Sequence, residues 1–185
     1  MRKIIVYEYI TLDGVIEAPE KWQFPYYSDD VAEVIKAQIL DSDELLLGRG
    51  TYEIFVAYWP TQTNNEFGVA DKLNNAHKFV VSSTLKKAEW NNSTLIKTNV
   101  AEEINRQKQQ SGGNIGIIGS AALVQSLMQT DLIDEYRLLV HPVAVGSGKR
   151  LFPDGITLPL KLVETRAFDS GVVLLHYQPD REKPL

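Results

Sequence analysis

The sequence contains no cysteine, which excludes a disulfide framework and any thiolate metal site and is compatible with a reducing cytoplasm. It holds only three histidines. His77, His141 and His176 stand singly, without ligand spacing between them, so no metal site is expected. No apolar run approaches the roughly 20 residues of a membrane span. The opening "MRKIIVYEYI" pairs a basic start with a short apolar run, but Glu8 interrupts it and no small-residue cleavage site follows. It reads as a first strand and not a signal peptide. An excess of positive charge is also missing. The net charge of -5 argues against nucleic acid as the main partner, since phosphate backbones want a basic face. No internal repeat, low-complexity run, GxGxxG or Walker loop occurs.

What remains is an ordinary globular composition. Hydrophobic residues make up 44% and charged residues 23% of 185 residues, enough for one domain with a real core. Residues 3–9 are apolar on both alternating faces, the mark of a strand inside a sheet. A long loop with Asp13-Gly14, Trp22, Phe24, Tyr26 and Tyr27 follows. A helix is expected over about 30–41, a strand at "DELLLG", a helix over 51–58, and strands at "HKFVVSS" and "STLIKT". A polar helix over 100–110, a strand over 114–118, a helix over about 120–129 and a strand over 134–142 come next. A hairpin turning at Asp169-Ser170-Gly171 completes the chain. Strands alternating with helices until a final antiparallel pair indicate an α/β domain with a mostly parallel sheet. The domain is expected over 1–178, with 179–185 as a loose tail.

Open α/β sheets bind ligands at the carboxyl ends of their strands. Two glycine turns sit at such ends. Gly48-Arg49-Gly50-Thr51 joins a leucine strand to a helix, whose first N–H groups and dipole favour anions. Arg49 adds a guanidinium fork suited to phosphate oxygens. Gly119-Ser120-Ala121 forms a second strand-to-helix turn, and "VVSST" puts Ser82, Ser83 and Thr84 at a third strand end. Each glycine site taken alone reads first as a plain turn. Their recurrence at one sheet edge points to a ligand.

The order of the strand before "TLDGVIEAP", then "LLLGRGTYE", "KFVVSST", "IGIIGSAALVQSL" and "LIDEYRLLVHPVAVGSGKRLF" resembles the dihydrofolate reductase-like superfamily. Within it, the chain is similar to stand-alone relatives of the reductase domain of the bifunctional riboflavin-biosynthesis deaminase/reductase. The resemblance implies a three-layer α/β/α fold, a mostly parallel eight-stranded sheet with an antiparallel C-terminal strand, and NADPH across the strand ends. It implies that Gly48, Arg49, Gly50 and Thr51 hold cofactor phosphates, with Arg49 on the 2′-phosphate. Ser82 and Ser83 then lie by the adenosine, and Gly119, Ser120, Ala121 and Leu123 under the pyrophosphate and nicotinamide ribose. By the same resemblance Tyr9 and Ile16 fall where the family lines the nicotinamide pocket.

The family pattern also has gaps here. The second turn runs Ser120-Ala121-Ala122 where dihydrofolate reductases carry a further small residue and a basic one. Asp29 or Asp30 lies near the acidic position that holds a pterin, and Glu53 is the only acid in "TYEIFVAYWPTQT". These three are the candidate proton donors, with water as the alternative. No basic residue in that segment matches a ribose-phosphate grip. Asp13, Trp22, Tyr26 and Phe55 are candidate substrate contacts, although Asp13 reads equally as a turn former and the rings as loop anchors or core. The expected activity is NADPH-dependent reduction of a small heterocyclic or carbonyl/imine substrate. The alternative is a non-catalytic ligand-binding protein on the same fold. By analogy a homodimer is expected, with "LIDEYRLLVHPV" as its contact, and cytoplasmic localisation.

Overall fold

A computed structural model describes residues 1–183 of the chain. Eight strands form one sheet in the order β4-β3-β2-β5-β1-β6-β8-β7. They are β1 (Ile4–Thr11), β2 (Ser42–Gly48), β3 (His77–Val81), β4 (Ser93–Ile96), β5 (Asn114–Ile117), β6 (Glu135–His141), β7 (Leu160–Ala167) and β8 (Val173–Pro179). The first six run parallel, and β8 lies antiparallel between β6 and β7. The helices are α1 (Asp29–Leu40), α2 (Arg49–Tyr58), α3 (Ala70–Asn75), α4 (Val100–Lys108) and α5 (Ala121–Met128).

Side chains alternate across a strand, and the core clusters show which helices cover which face. Ile4, Val6 and Ile10 of β1 join Leu46, Phe79, Ile115 and Ile117 beneath Ile104 of α4 and Leu123, Val124 and Leu127 of α5. On the other face Leu45, Leu47 and Val80 meet Tyr52 of α2 and Leu73 of α3. Val31 of α1 packs there with Leu139 and Leu174. The result is the expected three-layer sandwich.

Two segments singled out in the sequence are placed as follows. The segment containing β6 does not present a free face for a dimer contact. It pairs with β1 on one edge and β8 on the other, and Leu138 and Leu139 are buried within the chain. Its apolar character serves the interior of the sheet. The expected loose tail is also anchored. Pro179 closes β8, the Asp180 N–H donates to the Pro159 carbonyl at 2.8 Å, and Arg181 pairs with Asp131 at 2.8 Å. Residues 184–185 of that tail lie outside the described residues.

Candidate functional site

All the parallel strands end at one edge, and β3, β2, β5 and β1 are neighbours there. The two glycine turns therefore meet. The Gly48 N–H donates to the Gly119 carbonyl at 3.2 Å. A Cβ on Gly48 would overlap the Ser120 hydroxyl and come within 3.0 Å of the Ser120 backbone nitrogen. Gly119 has φ +58°, in the left-handed region, and a Cβ there would lie 2.5 Å from Thr51 Oγ1. Gly50 is different, because a Cβ there would meet nothing within 4 Å. The turns thus lock together through Gly48 and Gly119 and leave open space at Gly50. The N-termini of α2 and α5 start from this junction, so two sets of unpaired N–H groups converge on it.

The third strand end joins them. Arg49 donates from Nη1 to Thr84 Oγ1 at 2.7 Å and from Nε to Glu53 Oε1 at 2.7 Å. Ser82 Oγ accepts from the Thr84 and Leu85 N–H groups at 3.3 and 3.0 Å, and Ser83 is exposed beside it. Arg49, Ser82, Ser83 and Thr84 thus form a polar, cationic rim beside the glycine junction. Ile16 and Leu123 belong to the main core cluster, so they support the site from behind.

On the α1 face of β1, Tyr9, Trp22 and Tyr26 surround His141 edge-on, with ring centroids at 5.8, 5.2 and 6.2 Å. His141 Nδ1 lies 2.9 Å from the Leu139 carbonyl, which can only accept, so Nδ1 carries the proton. Burial pushes the His141 pKa down, keeping the ring neutral at pH 7. Trp22 is 7% exposed and its Nε1–H donates to the Glu17 carbonyl at 3.1 Å. Its ring therefore anchors the loop as well as packing on His141. In the sequence His141 is an isolated histidine, because its three aromatic neighbours come from β1 and from the loop some 120 residues away.

Several candidates turn out to do other work. Phe55 packs against Trp59 and Trp90 under α2, at centroid distances of 6.2 and 6.4 Å, and belongs to the core and not to the cleft. Glu53 is paired with Arg49. Asp30 accepts from Ser28 Oγ at 2.5 Å, which lowers its pKa and makes it a poor proton donor at neutral pH. Asp29 is exposed in the first turn of α1.

Asp13 is a clamp. Its Oδ1 accepts from Thr11 Oγ1 at 2.6 Å and from the Val145 N–H at 3.2 Å, while Oδ2 accepts from the Gly146 N–H at 2.7 Å. The Ile16 N–H donates to the Lys149 carbonyl at 2.9 Å, and Lys149 Nζ pairs with Glu17 at 2.9 Å. The loops after β1 and β6 are thereby fastened together. The hydrogen bond from Thr11, followed by that from Gly146, lowers the Asp13 pKa to about 2. A depressed carboxyl pKa contributes stability above its unfolded value near 4, and that contribution disappears as pH falls towards 2. Asp13→Asn is therefore expected to lower the urea midpoint at pH 7, with the gap to wild type closing between pH 4 and pH 2. A gap that stays constant with pH would contradict the clamp.

Glu8 is a functional candidate that the motifs do not reveal, since along the chain it merely breaks an apolar run. Strict alternation along Ile4, Val6, Glu8 and Ile10 puts it on the face covered by α5, where a carboxyl is out of place. Its Oε1 accepts from the Gly119 N–H at 2.8 Å, so it lies against the second glycine turn. Burial, only partly offset by that hydrogen bond, raises its pKa to about 8.

A concavity of about 460 Å³ lies beside β1, β6 and β8 and is lined by none of the residues of the two glycine turns. Ile10, Leu138, Val140, Phe152, Leu160 and Leu175 give it apolar walls, and its one titratable group is Tyr177. It offers no carboxylate, imidazole or cation.

Known proteins are similar to this chain in sequence and in fold. The model of the RibD C-terminal domain matches residues 2–174. The uncharacterized protein YyaP of Bacillus subtilis (strain 168) is 32% identical over 179 residues, covering 95% of this chain and 94% of its own. A candidate riboflavin biosynthesis protein from Shewanella sp. PV-4 superposes with a TM-score of 0.76 at 19% identity, covering 97% of this chain and 99% of its own. Dihydrofolate reductase from Enterococcus faecalis, in complex with NADP(H), superposes with a TM-score of 0.65 at 14% identity, covering 96% of each chain.

Proposed function

The chain belongs to the RibD C-terminal domain family, and from that membership we propose an NADPH-dependent reductase acting on a small heterocyclic or carbonyl/imine substrate. The family and its dihydrofolate reductase-like neighbours support a reductase-type fold. The observation that carries the reading is the interlock of the Gly48 and Gly119 turns beside Arg49. A dinucleotide phosphate fits the residues present. Helix N-termini meet at the junction, the space over Gly50 is open, and a guanidinium stands at the rim.

Bound NADPH supplies the hydride, and the protein supplies binding, orientation and exclusion of water. In this reading the two turns hold the pyrophosphate. Arg49, Ser82 and Thr84 hold the 2′-phosphate, for which Arg49 exchanges its Glu53 partner. Tyr9 and the aromatic wall around His141 orient a flat substrate on the α1 side. With Asp30 held by Ser28, the proton comes from Asp29, from the Glu53 carboxyl that Arg49 gives up, or from water. No helix among the described residues is long and apolar enough to cross a membrane, and we place the protein in the cytoplasm as a homodimer, which light scattering would check.

The test is a tryptophan-fluorescence titration with NADPH and NADH. Charge-assisted hydrogen bonds contribute about 1.5–3 kcal/mol each. Arg49→Ala is therefore expected to weaken NADPH roughly 10- to 100-fold while changing NADH little. An absence of NADPH binding at millimolar concentration overturns the reading. Binding without turnover on any heterocyclic or carbonyl substrate would instead favour a ligand-binding protein.

A further inference from the structure

Glu8 sits at the centre of the sheet, on the strand between β5 and β6. It is half-buried, and Oε1 is held by the Gly119 N–H at 2.8 Å. A Cβ built on Gly119 would lie 3.9 Å from the same oxygen and 2.5 Å from Thr51 Oγ1. Glu8, Thr51 and the Gly119 turn therefore converge where α2 and α5 begin. The second oxygen, Oε2, makes no hydrogen bond among the described residues and is not sealed from solvent. The carboxyl thus lies on the face covered by α5, against the turn that leads into that helix.

No cation compensates this carboxyl. Among the described residues Glu8 forms no ion pair. The first turn of α5 carries no charged side chain, and Leu138 is its register partner on β6. Arg49 of α2 is turned to Glu53 and Thr84. In the loop after β6, Lys149 pairs with Glu17 and Arg150 lies 3.9 Å from Asp154. Tyr9, the neighbouring phenol, stays neutral because its own burial and then the Tyr27 and Glu8 charges push its pKa up.

We propose that Glu8 is a proton-holding residue of the cofactor site: neutral, it donates Oε2–H to an oxygen of the dinucleotide on the two glycine turns, and ionised, it repels that anion. The inference rests on the NADPH reading above. A carboxylate beside a pyrophosphate costs binding in a low-dielectric cleft, whereas a carboxylic acid is a hydrogen-bond donor. The raised pKa, about 8, puts the change of state within an accessible range. If only the neutral form binds, affinity is flat below pH 7 and falls about tenfold per pH unit above 8. The 2′-phosphate titrates near pH 6, below this window.

The experiment measures the NADPH dissociation constant by fluorescence from pH 6.5 to 9.5 for the wild type and for Glu8→Gln, with circular dichroism at each pH as a check on folding. Glutamine keeps an acceptor for the Gly119 N–H and a donor towards the ligand. The wild type is expected to weaken at least tenfold between pH 7 and 9.5, and the variant to change less than threefold and bind more tightly than wild type at pH 9.5. Because the variant can rearrange, a carbon-13 carboxyl titration of the free wild type is run alongside, expecting a midpoint near 8. A flat wild-type profile, a parallel fall in both proteins, or a carboxyl midpoint below 6 overturns the inference while leaving NADPH binding intact. No NADPH binding at any pH removes the cofactor reading and this inference with it. A purely structural Glu8 would shift stability without bending the pH profile of binding.

Discussion

Gly48→Ala is expected to abolish NADPH binding and destabilise the fold, while Gly50→Ala, two residues away, is expected to weaken binding and stabilise the fold. Both glycines lie in the same turn and neither has a positive φ, so backbone strain does not separate them. Space does. A methyl group on Gly48 collides with the side chain and backbone nitrogen of Ser120, and the two turns must part. Overpacking of this kind typically costs about 1–3 kcal/mol. Separation of the turns breaks the bond from Gly48 to Gly119 and spoils the paired helix N-termini on which anion binding depends. An affinity loss of more than roughly 100-fold is expected, taking the loss of two charge-assisted contacts. A methyl group on Gly50 meets no protein atom, and in the first turn of α2 it gains roughly 0.5–1 kcal/mol from helix propensity. Any affinity lost there comes from the ligand itself meeting the new methyl. Thermal melts and NADPH titrations of both variants check this, and equal binding losses with equal melting shifts would refute the steric account.

The second large effect is on stability alone. Lys78 is 0% exposed, and its ammonium donates to the carbonyls of Leu73, Asn74 and Ala76 at 2.8, 3.1 and 2.6 Å while lying 4.2 Å from the centroid of Trp90. Those carbonyls end α3 and begin the turn into β3, and a helix C-terminus attracts a cation. Lys78→Met keeps the apolar stem but leaves three carbonyls without their donor, a loss of about 3 kcal/mol. For a chain of this length that is a fall in melting temperature of roughly 6–12 °C. NADPH affinity measured below the transition should stay near wild type. A melting shift under 2 °C would mean that water replaces the ammonium there without loss.

Much of this fold can be read from local signals. Period-two alternation marks the strands, and a glycine just beyond an apolar run marks where each turns, which is why Gly48 and Gly119 stand out along the chain. The α2 start is less legible. The helix begins at Arg49 and not at Thr51, and Phe55 meets Trp59 and Trp90 edge-on, rings whose approach no local pattern records. Asp13 announces a turn by its identity, but its partners Val145 and Gly146 lie across the sheet edge and more than 130 residues away in sequence. Glu8 carries a signal of a different kind, one that motif searching overlooks. A charged residue at the buried phase of an alternating strand signals a paired, protonated or ligand-facing group, and here it marks the turn junction.

The position of β1 has a kinetic consequence. It precedes the other seven strands, yet among the described residues its ladder partners are β5 and β6, both encoded more than 100 residues later. At ribosomal rates of about 5–20 residues per second, roughly 5–20 s pass between its completion and the arrival of its first partner. Over that interval "IIVYEYI" is an unpaired, strongly strand-forming segment, the kind that invites pairing with another chain. The β2-β3-β4 half can assemble meanwhile, from contacts close in sequence. Glu8, half-buried in the folded sheet, is fully solvated at that stage. While the nascent strand is bare its pKa is ordinary and the group is charged, which breaks the apolar run and guards it against aggregation.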